Sequence, residues 1–176
     1  MKEMIRFVLS IVFLAFVLII TLVVISYGEA TLLKESYVVL PLEIDKYDNS
    51  LWVEVFQTWA VYGVFLAAGF SLMWLIVGQF KFRPEKYGDA GGRMPWVSFL
   101  IALLLLTLTM GYFLTPGTQD FGKPLALSFY LVNSFFIYWF SSVMFSPSTV
   151  KYAPWLSYRL AMAANGLMRT FQGAAK

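Results

Sequence analysis

The sequence predicts an all-α membrane protein: a four-transmembrane-helix bundle with both termini on the inner side and a C-terminal amphipathic helix at the membrane surface. Three observations predict it. Sixty per cent of the 176 residues are hydrophobic, only 13% are charged, and the mean hydropathy is +0.72. A water-soluble domain of this size needs more polar residues to cover its core, and a bilayer removes that need. Four apolar stretches without a charge recur along the chain, each close to the roughly 20 residues that cross about 30 Å of hydrocarbon. Finally, Lys and Arg collect in alternate connections, as the positive-inside rule requires of a polytopic chain. No fixed-period repeat or low-complexity tract is visible, so residues 1–176 read as a single polytopic domain.

Met1 to Arg6 is a short polar start, and Phe7 to Tyr27 is the first span, 21 residues without a charge. Its β-branched content is no obstacle, because in lipid the backbone has no partners other than its own helix bonds. A cleaved signal peptide competes with this reading, since Ser26 and Gly28 are small residues at cleavage-like spacing. The apolar run exceeds the roughly 7–15 residues of a signal core, so it reads as a retained anchor. Gly28 to Gln57 follows as an outer loop with six acidic residues against Lys34 and Lys46. Within it Pro41 limits Tyr37 to Leu42 to a short extended segment, and Asp48-Asn49-Ser50 reads as a turn.

The second span covers 58–80, entering as early as Val55. Ala60, Gly63, Ala67 and Ser71 recur on it at helical spacing as a strip of small residues, a surface that lets another helix approach closely. Residues 81–95 form a basic inner loop punctuated by Pro84, Gly88, Gly91, Gly92 and Pro95. The third span covers 96–115, with Thr107, Gly111 and Thr115 on one face, and Pro116-Gly117 ends it. The short connection through Pro124 makes the third and fourth spans antiparallel neighbours.

The fourth span, 125–145, is the centre of the predicted bundle. It is uncharged, yet Ala126, Tyr130, Asn133, Ser134, Tyr138 and Ser141 fall near one helical face. Asn133 is the only carboxamide deep inside a span. An amide facing hydrocarbon is left unsatisfied, so it should face a neighbouring helix as interhelical glue or touch a ligand in the bundle. In the tail, 146–176, two prolines break the span. Trp155 to Phe171 then reads as an amphipathic helix, with Leu156, Leu160, Ala163, Leu167 and Phe171 on one face and Asn165, Arg169 and Gln172 opposite. Such a helix lies in the headgroup layer or docks on a partner protein.

Charge gives the orientation. Ten Lys and Arg fall on the side of the termini and the 81–95 loop, against three acidic residues there. The other side holds three Lys and seven acids. Both termini and the 81–95 loop are therefore expected in the cytoplasm. Trp52, Trp59, Tyr27 and Tyr112 are expected at the outer boundary, and Trp74, Trp96 and Trp155 at the inner one.

The chemistry is marked by what is missing. The chain has no Cys and no His, which removes disulfides, thiolate metal sites and the commonest general base. With spans bounded as above, none contains an ionisable side chain, which weighs against a pump or exchanger. No Ser or Thr has a membrane-embedded base to activate it, so no catalytic residues are expected and the protein is not read as an enzyme. Glu43, Asp45, Asp48 and Asn49 do not fit a calcium-binding loop and read as solvated or as a partner contact. The stretch Gly88 to Arg93 lacks the ending of a phosphate-cradling loop. No metal or cofactor is expected, and nucleic-acid binding is not supported.

These readings converge on a non-catalytic integral subunit of a larger complex in the bacterial inner membrane. A secretion or conjugation apparatus, or an accessory subunit of an energy-transducing complex, would fit. The expected partners are membrane lipids, other integral subunits, and a periplasmic protein at the acidic loop. The interaction residues are Ala60, Gly63, Ala67 and Ser71 on the second span and Tyr130, Asn133, Ser134, Tyr138 and Ser141 on the fourth. One alternative is a homo-oligomeric channel or small-solute transporter lined by Asn133, Ser134, Tyr138 and Ser141. A further alternative is a lipid- or quinone-binding membrane enzyme subunit walled by aromatic side chains.

Overall fold

The computed structural model describes residues 2–29, 31, 49–81, 92–114, 122–146, 150 and 153–157. Helix α1 spans Lys2–Val23 and continues as a π-helical segment over Val24–Glu29. Helices α2, α3 and α4 span Asn49–Phe80, Arg93–Leu114 and Gly122–Phe145. The elements are all helical, and four stretches are long and apolar enough to cross a membrane: Phe7–Glu29, Glu54–Phe80, Arg93–Phe113 and Pro124–Met144.

The helices outrun the apolar spans, chiefly at their N-terminal ends. Helix α1 begins at Lys2 rather than after Arg6. Helix α2 begins at Asn49, where Thr58 or Val55 was the expected entry. Asn49 and Ser50 therefore open a helix instead of closing a turn, a place both residue types favour. Pro95 and Pro124 fall in the first turns of α3 and α4, where the missing N–H has no intrahelical acceptor to lose. The end of α4 at Phe145 coincides with the expected boundary. Almost all of the amphipathic segment 155–171, the acidic cluster Glu43 to Asp48 and the glycine-rich loop 88–91 lie outside the described residues. At the start of the tail, 154–157 form a tight turn with Leu156 at a φ of 67°.

Helices α2 and α4 form a parallel central pair, and α1 and α3 each pack against both of them. Near one end of the central pair Phe56 stacks on Tyr130 with ring centroids 5.4 Å apart. Near the other, the Trp74 indole donates to Ser146 Oγ at 2.9 Å. Helix α3 runs antiparallel to α4, as its short connection requires: Trp96 Nε1 donates to Ser142 Oγ at 2.9 Å and Thr107 Oγ1 to Ser134 Oγ at 3.2 Å. Helix α1 is antiparallel too, with Phe13 against Phe140 at one level and Gln57 Nε2 donating to the Ser26 carbonyl at another. The core between them holds Val64, Ala67, Trp74, Leu103, Ile137 and Tyr138.

Buried hydroxyls largely settle their accounts within their own helix. Thr21 Oγ1 donates to the Val17 carbonyl and Ser71 Oγ to the Ala67 carbonyl, both at 2.9 Å. This back-bonding lets a polar residue face an apolar neighbour without an orphaned donor. Trp74 and Trp96, expected near the inner boundary, are buried in the bundle with their indole N–H groups satisfied by serines, while Trp155 is exposed. An indole needs one acceptor wherever it sits, and Ser142 and Ser146 supply it inside.

On α2, Ala60, Ala67 and Ser71 are buried and Gly63 is half-buried. A methyl group at Gly63 would lie 3.8 Å from Ser134 Oγ, an ordinary contact distance. Gly63→Ala is therefore expected to keep or raise thermal stability in detergent, because Ala exceeds Gly in helix preference by about 1 kcal/mol.

Candidate functional site

The inward face of α1 is a stripe of Ser10, Leu14, Val17, Thr21 and Ile25, all buried and spaced by three or four residues. One more step of four reaches Glu29, which is also buried, at 6% exposure. Continued α-helical winding at about 100° per residue would swing position 29 to about 100° from Ser10, on the flank of the stripe. The π-helical segment Val24–Glu29 advances less per residue and returns Glu29 to the inward face.

There Glu29 meets α4. Asn133 Nδ2 donates to both carboxylate oxygens, to Oε1 at 2.9 Å and to Oε2 at 3.2 Å. The first span as expected, 7–27, holds no ionisable side chain, and Glu29 lies just beyond it. The apolar stretch ends two residues past the expected boundary, and the last residue, Glu29, is turned into the bundle. Asn133 stands near the middle of α4, whereas Glu29 is the last residue of its apolar stretch. The basic side chains that the structure describes, Lys81 and Arg93, are exposed at the far ends of α2 and α3.

The other polar residues of α4 point elsewhere. Ser134, one residue on and about 100° around the helix, faces α3 through Thr107. The Tyr130 hydroxyl donates to the Phe56 carbonyl at 3.4 Å, and the Tyr138 hydroxyl to the Trp96 carbonyl at 3.1 Å. Ser141 is buried with no hydrogen-bond partner for its Oγ. Of the nine sequence-predicted interaction residues, Asn133 alone reaches an acidic side chain. Ser134, Tyr130 and Tyr138 bind α3 or α2, and the α2 strip lies within the bundle without touching Glu29 by a hydrogen bond.

Between α2, α3 and α4 lies a cavity of only about 10 Å³, lined by Trp59, Gly63, Leu66, Thr107, Met110, Gly111 and Tyr130. That is the room of a single water molecule. On the outer surface, α3 and α4 frame a groove of about 480 Å³ walled by Ile101, Leu104, Leu105, Leu108, Leu131, Val132 and Phe135. Among the described residues no group of three His, Cys, Asp or Glu side chains could hold a metal ion.

No family model, no curated protein and no solved structure matches the chain.

Glu29 is the functional candidate that sequence reasoning passed over. Counting on by four from Ile25 reaches position 29, but ideal α-helical winding puts that residue on the flank of the stripe. A charge count alone places that residue in the loop.

Proposed function

We propose that the chain is a non-catalytic integral subunit of a larger inner-membrane complex, with both termini cytoplasmic and the acidic 28–57 segment on the opposite side. The observation that carries this reading is a broad apolar exterior around a bundle whose polar side chains on α4 bond mostly to neighbouring helices. The polar face of α4 is spent on bonds inside its own bundle. By contrast, at most 39% of the apolar window in any of the four helices is buried. Val8, Val12, Phe16, Ile19 and Val23 leave the outer side of α1 apolar, and the α3–α4 groove has the purely aliphatic and aromatic lining that suits a ridge of a neighbouring helix. Lipid covers whatever a partner does not.

The test is a mild-detergent pull-down from native membranes through a C-terminal tag, sized and identified by mass spectrometry. Stoichiometric partners in a large particle are expected, with a photoreactive residue at Val132 cross-linking to one of them. A small particle containing this chain alone contradicts the subunit reading.

One observation favours a second reading, a homo-oligomeric channel or small-solute transporter. The buried Glu29–Asn133 pair is the kind of intramembrane group that such proteins use. The path itself would differ from one along Ser134, Tyr138 and Ser141, because those side chains are buried and Ser134 and Tyr138 are hydrogen-bonded within the bundle. Flux through liposomes containing the purified chain, abolished by Asn133→Leu, distinguishes this reading from the first.

A further inference from the structure

We propose that Glu29 is a proton-exchange site and that Asn133 is its positioning residue. The inference stands whether or not the chain has partners, since it concerns one carboxyl group and its neighbours within the bundle.

Geometry supplies the first argument. The π-helical turn departs from the cheaper α-helical path, and its effect is to aim Glu29 at α4. Such turns are frequent at functional sites when they interrupt an α-helix, and they also occur at helix C-termini, where this one follows α1. Burying a carboxyl group in an apolar bundle is costly unless it is hydrogen-bonded, and Asn133 is the partner that Glu29 finds there. A side chain that must change charge there has to be placed inside.

The partner supplies the second. Asn133 presents an NH₂ group within hydrogen-bond distance of both carboxyl oxygens, which suits the ionised form. When a proton binds Oε1 or Oε2, the carboxyl gains an O–H donor, and the same carboxamide can rotate to accept it through Oδ1. An amide thus serves both protonation states, which neither Leu nor Lys at this position would do. The balance is simple: water on the acidic side gives or takes one proton, and Glu29 passes between one negative charge and none.

The surroundings supply the third. Ser26, Tyr27 and Gly28 are exposed immediately before Glu29, so the route from the site to the end of the helix is short. Among the described residues the charged and titratable groups around it are few. On α1, Tyr27 is exposed; on α2, Glu54 is exposed at the same end, and neutral Gln57 is engaged by the Ser26 carbonyl. From α4 come Asn133 and the Tyr130 hydroxyl, which is committed to the Phe56 carbonyl. On α3, Tyr112 is exposed and Arg93 is at the far end. Among these residues no cation competes with a proton for Glu29.

The test is infrared spectroscopy of the full chain in liposomes, titrated from acidic to alkaline pH. The wild type minus Glu29→Gln difference isolates one carboxyl group from the solvated ones. The expected result is a carboxylic-acid carbonyl band that gives way to carboxylate bands across the titration, with a frequency typical of a water-poor site. Asn133→Leu is expected to move the midpoint by about one pH unit or more, because a hydrogen bond to a charged group is lost. Asn133→Gln, which keeps the amide, should restore much of the shift. If Glu29→Gln does not fold, Glu29→Asp replaces it and must give a titrating band displaced in frequency. A Glu29 band that does not respond to pH, or a midpoint unmoved by Asn133→Leu, overturns the proposal and leaves a structural carboxyl.

Discussion

Replacing Asn133 with Leu will destabilise the bundle by about 1–3 kcal/mol, although it removes a polar group from an apolar helix. Hydropathy alone predicts the opposite sign. The loss arises because Asn133 Nδ2 is the donor to both oxygens of Glu29, and Leu leaves a buried carboxyl group with neither bond. An ordinary interhelical hydrogen bond in a membrane is worth only about 0.6 kcal/mol, so a value near the top of the range identifies the acid as the group left behind. Replacing both partners removes the orphan. The double variant Glu29→Leu with Asn133→Leu is therefore expected to lie closer to the wild type than Asn133→Leu alone. Reversible unfolding in mixed detergent micelles measures all three. Additive effects would mean that the two side chains do not meet.

The second large effect is expected at Gly111. A Cβ there would lie 2.6 Å from Leu127 Cδ2 and 2.9 Å from Tyr130 Cδ2, distances that real Cβ atoms do not adopt. Leu127 can swing away, but Tyr130 is buried, stacked on Phe56 and hydrogen-bonded to its carbonyl. Gly111→Val should thus separate α3 from α4 and cost about 1–3 kcal/mol, the usual penalty of overpacking. Thermal unfolding in detergent reads it as a clear fall in midpoint. The contrast with Gly63→Ala is instructive: both are glycines on helices of one bundle, and only one is there because a neighbour sits where its side chain would be.

Much of the fold was legible in the sequence because the bilayer restricts the options so strongly. Charge-free stretches of spanning length mark the four helices, and the 3.6-residue period on α4 marks Tyr130, Ser134, Tyr138 and Ser141 as an inward face. Helix ends were less legible. Hydropathy reports where a charge-free apolar run stops, whereas α2 extends past Glu54 to Asn49. The hydrogen-bond partners of the tryptophans were not legible for a different reason. An indole suits a membrane boundary or a sealed site with an acceptor, and the deciding serines lie 72 residues from Trp74 and 46 from Trp96. Glu29 was hidden by a local change of winding. Its inward aim depends on the π turn, and no residue from Val24 to Gly28 announces one.

The most direct test of the account is whether Glu29 and Asn133 meet across α1 and α4. The chain contains no cysteine, so Cys substitutions at positions 29 and 133 create a single defined pair. A short bifunctional thiol cross-linker, applied to the folded protein in liposomes, should join them within one chain and give a compact species on denaturing gels. A pair at positions 29 and 113 serves as the negative control, because Phe113 is exposed on α3. Efficient intramolecular cross-linking of 29 to 133, without that of 29 to 113, is the predicted result. Failure to join 29 to 133 under conditions where both thiols are labelled singly would place Glu29 outside the bundle and contradict the account.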